Sequence, residues 1–417
     1  MDDEVLITGG YVVTMDDDLG DVPGGDVRIL NGVITEIGTG LRPGSPDTEI
    51  VDARGRIVMP GMIDTHRHTW QGAIAAYTPQ ITGYGYGPVV LSGITLDHTA
   101  EDVYAGTLWG ALQALDAGIT SIGDWAHALR SAEHADGNLR GLKESGIRGV
   151  FFCGGPGPAT DDPNPPHPVD ARRMRDENFP GNGMNGRLRM GMWLRGPAFT
   201  SAERNREDFA FARELGLPIS VHVGMAGTAD AIPVLQSDEL LGDDINYVHC
   251  NMLTDEEFDL VRSSGGTITL TPSTDMLMQF GTYPATGPTL ETLARNEMVH
   301  EVELNQRDML RLATIGGALV LGIADETGSL TPGKQGDVVL VDMRSPHLDG
   351  YGDPVAMLGL GAGPADVETV LVGGEFLKRD GALVGGHIER ARELMHQTQD
   401  RLRARVQRRE RAALQTH

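Results

Sequence analysis

Cysteine is nearly absent: Cys153 and Cys250 are the only two in 417 residues, and they lie far apart. That excludes a disulfide framework and a zinc–thiolate cluster, and it fits a reducing compartment. Lysine is scarcer than arginine, with only Lys143, Lys334 and Lys378. Positive charge is short overall, because 34 Lys and Arg face 59 Asp and Glu, for a formal net charge of −25. So acidic a surface repels phosphate backbones and anionic lipid, which argues against nucleic-acid and membrane partners and leaves a small molecule as the expected one. No apolar run approaches the roughly 20 residues of a spanning helix. The opening Met1-Asp2-Asp3-Glu4 is acidic where a secretory signal is basic, so a cytoplasmic location is expected.

What is present is enough apolar sequence, 40 % of residues, to bury a large core. Both ends read as β. Val5 to Thr14 is β-branched and alternating, and Asp26–Leu30, Asn31-Gly32 and Val33–Ile37 spell a hairpin with an Asn-Gly turn. Val338–Asp342 and the stretch from Val367 add strands near the other end. The middle alternates. Apolar strands are predicted at 57–65, 119–125, 147–154, 188–195, 218–223, 245–250 and 266–272, and helices at 99–117, 131–144, 203–216 and 254–264. Gly118, Gly146, Gly216 and Gly265 stand where helix-ending glycines belong. Strands alternating with helices imply a parallel sheet, and seven are one short of a (β/α)8 barrel. The expected class is therefore α/β: a TIM-like barrel over 58–325, whose eighth strand is not evident, with a small composite β-sandwich from 1–57 and 326–385. Residues 386–417 read as a solvated C-terminal helix, and the Pro-, Gly- and Asn-rich segment 156–186 as a long connection.

Chemistry concentrates at strand ends. Pro60-Gly-Met-Ile-Asp-Thr-His66-Arg-His68 puts two imidazoles at positions i and i+2 of a strand, where both can face one ion. His222 ends the strand that begins at Pro218, and His249 ends the strand from Ile245. A lone strand-end histidine is usually a hydrogen-bonded core residue. Four at the C-terminal ends of three strands coincide with the face on which barrel enzymes build their sites. Neutral imidazoles suit a divalent metal, zinc first, with iron or manganese as alternatives.

With these motifs, and with Ala313-Thr-Ile-Gly-Gly-Ala318 and Gly328-Ser-Leu-Thr-Pro-Gly-Lys-Gln-Gly-Asp337, nearly the whole chain resembles the amidohydrolase superfamily. The resemblance is to the branch of cytosine, guanine and S-adenosylhomocysteine deaminases and triazine chlorohydrolases. It implies that His66, His68 and His222 bind metal, that His249 lies beside the metal-bound water or the substrate, that Gln71 lines the pocket, and that the protein forms a homo-oligomer. The implied reaction is hydrolysis of a C–N bond in a small cyclic or heteroaromatic substrate.

Two departures stand out. The deaminases of this branch carry His-x-x-Glu on the fifth strand; here the sequence is His222-Val-Gly-Met225. The family's eighth strand ends in a metal-binding Asp, yet no such strand lies between Ser273 and Ala313. Either the strand has been lost, or the sequence lacks a segment joined around Glu291 to Leu293; the family pattern resuming in register after Asn305 favours the second. Asp275, just past the seventh strand, is expected to face the substrate. Trp70 and Trp125 offer flat faces for a ring, against an equal case for core packing, and Arg195 ends the fourth strand as a charge in need of a partner. Cys250 should point away from the site as a small buried hydrophobe. The missing carboxylates leave a rival reading: a catalytically degenerate barrel that only binds.

Overall fold

The structure is a computed structural model that describes residues 3–75, 81–155, 170–181, 183–228, 230–281, 295, 304–350 and 352–415. Two sheets organise it. The first has nine strands drawn from both chain ends, and its seam is the antiparallel pairing of Arg56–Pro60 with Val338–Asp342. Its hairpin turns at Asn31 and Gly32, both with positive φ, so that Leu30 faces Val33. Only residues tolerant of the left-handed region make this two-residue turn cheaply. Val5, Ile7, Val27, Ile29, Val58, Val338 and Leu371 fill the apolar cluster of this sheet.

The second sheet is a nearly closed barrel. Seven parallel strands lie in chain order: Met62–Arg67, Ile119–Ala126, Arg148–Cys153, Leu188–Leu194, Ile219–Val223, Ile245–His249 and Thr267–Thr269. The predicted strand 57–65 is two strands. Arg56–Pro60 belongs to the first sheet, and the chain enters the barrel after Gly61. A Cβ at Gly61 would lie 1.9 Å from Thr120 Oγ1, so this crossing between sheets admits only glycine without a shift.

Helices between the strands start and stop as their sequences dictate. Thr99 and Thr254 each close a capping box, with Asp102 and Glu257. Gly118, Gly146, Gly216 and Gly265 all have φ between 66° and 84°. Segment 156–186 is not one open connection: it contains the helix Ala171–Asn178 and the short strand Met184–Asn185, which pairs with Leu188 and Arg189. Residues 156–169 lie outside the described residues. The terminal helix runs Ile388–Gln415 and is not simply solvated: Ala391, Met395 and Leu402 are buried, and Thr398 donates to Asp102 of the helix Ala100–Asp116.

The barrel's closing side is the unusual one. The seventh strand is three residues long, shorter than the predicted 266–272, because Pro272 starts the helix Pro272–Met278. The interval expected to hold the eighth strand, including Glu291–Leu293, falls largely outside the described residues. Among the described residues the first and seventh strands are not paired through their backbones, but Thr65 Oγ1 and Thr269 Oγ1 meet at 2.9 Å. Ala318, Leu321 and Ile323 pack with Ile63, Val150, Phe152 and Val248 in one cluster.

Candidate metal centre

Four histidines gather at the C-terminal ends of the barrel strands. His66 Nε2 and His222 Nε2 stand 3.2 Å apart. One ligand nitrogen from each of His66, His222 and His249 falls within 4.8 Å of the others, and among the described residues no other set of His, Cys, Asp or Glu does this. His68 is outside that set. Its ring centroid is 4.9 Å from that of His66 and 5.9 Å from that of His222, while Nδ1 lies 3.4 Å from the Trp125 carbonyl oxygen. The i, i+2 argument placed both imidazoles on one face of a strand. The strand stops at Arg67, and His68 precedes the 3-10 helix Thr69–Ile74 with φ −84° and ψ 75°, so strand alternation no longer governs its direction.

Burial sets the protonation state. Desolvation, then repulsion from the neighbouring imidazoles, holds His66 and His222 well below the usual histidine range. Desolvation brings His68 down to about 3. Each of the three keeps some solvent exposure as a residue, but the rings themselves are enclosed by one another and by Trp125. Neutral rings keep the lone pairs that a metal needs. A tetrahedral ion with Zn–N bonds of about 2.0–2.1 Å separates adjacent ligand nitrogens by about 3.3–3.4 Å, close to the His66–His222 distance. The donor set therefore fits a divalent metal. It holds no carboxylate, and His66 Nδ1 is buried without the hydrogen-bond acceptor that usually backs a ligating imidazole.

His249 is the most constrained of the four. It ends its strand at φ +82°, and Cys250 follows at +55°, two consecutive left-handed residues that are not glycine. Its Nδ1 lies 2.8 Å from Asp275 Oδ1 and 3.1 Å from Thr271 Oγ1. Asp275 was expected to face the substrate; it is fully buried on Pro272–Met278 and turned to His249.

The remaining candidates divide. Trp125 stacks on His222 at 4.0 Å between centroids and 3° between planes, and its indole is also stacked with Trp193. Trp70 is core. It is fully buried, its backbone abuts Gly106 of the helix Ala100–Asp116, and its indole nitrogen points to His127 Nδ1 at 3.5 Å, which leaves no open face for a ligand. Arg195 finds its counter-charge in Asp208, 2.9 Å away on the helix Ala202–Glu214, so the need for a partner is met within the protein. Gln71 is half-buried and donates to Tyr86 Oη. Met225 is buried, and its backbone N–H donates to Thr228 Oγ1. Cys250 is a free, buried thiol whose Sγ contacts the Tyr247 carbonyl at 3.7 Å.

Two further neighbours complete the surroundings: His127, which sequence reasoning missed, and Asp124, the strand-end residue before Trp125. His127 is buried 4.5 Å from His68 between ring centroids, with Nε2 unpartnered. Asp124 is buried beneath the loop after His68, where it accepts from Thr69 N at 3.3 Å and Asn138 Nδ2 at 2.5 Å; desolvation nonetheless pushes it up to about 6. The signal for both was Asp124-Trp-Ala-His127, at and just past a strand end.

A parallel barrel that gathers histidines at the C-terminal ends of its strands places them on the face where barrel enzymes build their sites. The comparisons agree. An amidohydrolase family model matches residues 252–377. The chain is 28 % identical to a 5'-deoxyadenosine deaminase of Methanosarcina mazei, over 90 % of this chain and 93 % of that one. It is 26 % identical to a 5-methylthioadenosine/S-adenosylhomocysteine deaminase of Symbiobacterium thermophilum, over 91 % and 94 %. Its fold matches a zinc-bound adenosine deaminase from Xanthomonas campestris at a TM-score of 0.80 with 21 % identity, covering 96 % of this chain and 99 % of the other. It also matches atrazine chlorohydrolase from Arthrobacter aurescens TC1, complexed with zinc, at 0.79 with 21 % identity, over 94 % and 99 %. By family model, by relatives and by fold, the chain is similar to the amidohydrolase superfamily.

Proposed function

We propose that this protein is a metal-dependent hydrolase that cleaves a C–N bond of a small nitrogen heteroaromatic, with an aminopurine nucleoside as the first substrate class to try. The observation that carries the reading is the gathering of His66, His68, His222 and His249 at one end of the barrel, with His66 Nε2 and His222 Nε2 3.2 Å apart. The relatives named above supply the substrate class, since two are deaminases of adenosine derivatives.

His66, His68 and His222 are the proposed ligands. The His66–His222 separation already suits a shared ion, and the His68 ring lies 4.9 Å from that of His66 between centroids. Zinc is the preferred metal, with iron and manganese as alternatives. A bound divalent ion supplies Lewis acidity and a water nucleophile at neutral pH. His249 is proposed to act on substrate: it orients or polarises the attacked group. Trp125 closes the centre behind His222, which limits the water that competes for the same donors. Gln71 is proposed to line the pocket. Met225 occupies the place of the deaminase glutamate, so proton movement cannot follow that family route. A homo-oligomer is proposed on family likeness alone.

The test is turnover. Purified protein is assayed with adenosine, 5'-deoxyadenosine, methylthioadenosine and amino-triazines, before and after chelation and with Zn, Fe or Mn restored. Metal-dependent release of ammonia or amine supports the proposal. Metal binding without turnover on the whole panel moves the reading to the degenerate, binding-only barrel.

A further inference from the structure

We propose that Asp275 is the positioning residue of His249, through which this chain applies a carboxylate to its centre in place of the family glutamate replaced here by Met225. The inference rests on the hydrolase reading above for its catalytic consequence, but not for its geometry.

The backbone first turns His249 out of its strand. After φ +82° at His249 and +55° at Cys250, the chain is fixed by two hydrogen bonds to the neighbouring fifth strand and the turn after it: Cys250 N to Val223 O at 3.1 Å, and Met252 N to Gly224 O at 2.7 Å. Non-glycine residues persist in this region only where surrounding structure holds them there. The result is an imidazole 4.9 Å from the His222 ring and 5.8 Å from the His66 ring, between centroids.

The side chain is then fixed from behind. Pro272 starts a short helix, and Asp275 in its first turn is fully buried. Its backbone is tied at both ends, Asp275 N to Thr271 O at 2.9 Å and Phe280 N to Asp275 O at 3.0 Å. Its Oδ1 then lies 2.8 Å from His249 Nδ1. An ionised carboxylate is acceptor-only, so Nδ1 carries the proton and Nε2 keeps its lone pair. Thr271 Oγ1, 3.1 Å from the same nitrogen, adds a second contact on that side, and the Phe280 ring sits 5.4 Å from the imidazole. Nε2 is thereby left as the nitrogen available to the space bounded by His66 and His222. It is poised to accept a hydrogen bond from water or from a substrate N–H. A substrate-facing role for Asp275 does not survive this geometry, because the carboxylate is fully buried with one oxygen already on His249.

The test compares Asp275→Ala and Asp275→Asn with the wild type and with His249→Ala. Metal content, kcat and KM are measured, together with the nitrogen-15 spectrum of histidine-labelled protein. Asp275→Ala is expected to keep its metal and lose about 10- to 100-fold in kcat, with KM little changed. Asp275→Asn, which preserves a neutral acceptor, is expected to recover part of the loss. In the spectrum, the His249 signal is expected to leave the Nδ1–H form in Asp275→Ala and to stay in it in Asp275→Asn. An Asp275→Ala protein with wild-type kcat, or with an unchanged His249 tautomer, overturns the proposal. So does loss of metal together with activity in both variants, which marks Asp275 as merely structural. If the wild type itself shows no turnover, the hydrolase reading is what has failed, and the tautomer shift alone decides the positioning claim.

Discussion

The barrel's two sides are built differently. On the first side, strands two to six run five to eight residues, pair continuously and alternate with capped helices. On the closing side, a three-residue seventh strand meets the first strand through one pair of threonine hydroxyls. The metal-ligand candidates His66 and His222 project from the first strand and from the regular side. The acidic group Asp275 comes from the irregular side, on a helix that begins where the seventh strand stops. Where the strand pattern is regular, side chains point as alternation requires. Where it breaks, the chain has delivered a carboxylate to His249 from an unexpected direction.

Breaking the regular side should cost most. Arg148, at the start of the third barrel strand, pairs with Asp337 of the segment leading into the first sheet, Nε to Oδ2 at 2.6 Å and Nη2 to Oδ1 at 3.1 Å, and both are buried. Arg148→Met leaves Asp337 charged and uncompensated, at an expected cost of about 3–5 kcal/mol in denaturant unfolding. A loss below about 1 kcal/mol means that water reaches the pair.

The histidine centre gives the regular side a pH signature. In metal-free protein, burial holds His66, His68, His127 and His222 below 6.5, so the native state binds fewer protons than the unfolded chain once the pH drops under that value. Stability is then expected to be flat above about pH 6.5 and to fall below it, by up to about 1.4 kcal/mol per pH unit for each histidine. Thermal unfolding between pH 4 and 8 after chelation checks this. A midpoint that stays level down to pH 5 contradicts burial of neutral imidazoles.

The closing side should respond weakly. Thr65→Val removes the hydroxyl link while Thr269 keeps its hydrogen bond to Asn246 Oδ1, for an expected change of about 1 kcal/mol or less. A larger loss shows that this contact, rather than the surrounding packing, closes the barrel. Intact mass sharpens the comparison further. A value several kilodaltons above 44.7 kDa supports an additional segment; a value equal to it makes the short interval real.

Legibility followed the same division. Helix limits were readable because caps and terminal glycines are local chemistry, as at Thr99, Thr254, Gly146 and Gly265. His222 and His249 were readable because strand ends on one barrel face converge. His68 was less directly readable, because its strand stops at Arg67 and alternation no longer sets its direction. Trp70 and Arg195 looked functional because sequence shows a type and a position; it does not show the Gly106 backbone or the Asp208 carboxylate waiting for them. Asp275 was recognised as significant, but its direction depends on Pro272 ending the strand early. His127 was passed over although it stands just past a strand end, because that position alone does not report that His68 and Trp70 lie against it.

The most direct measurement is the metal content of protein purified without added metal, alongside the His66→Ala, His68→Ala double variant and His249→Ala. The account expects Zn, Fe or Mn at or somewhat below one per chain in the wild type, since three imidazoles without a carboxylate hold a dication less firmly. It expects none in the double variant, and wild-type content with lost turnover in His249→Ala. Metal retained in the double variant, or absent from the wild type even after reconstitution, contradicts it.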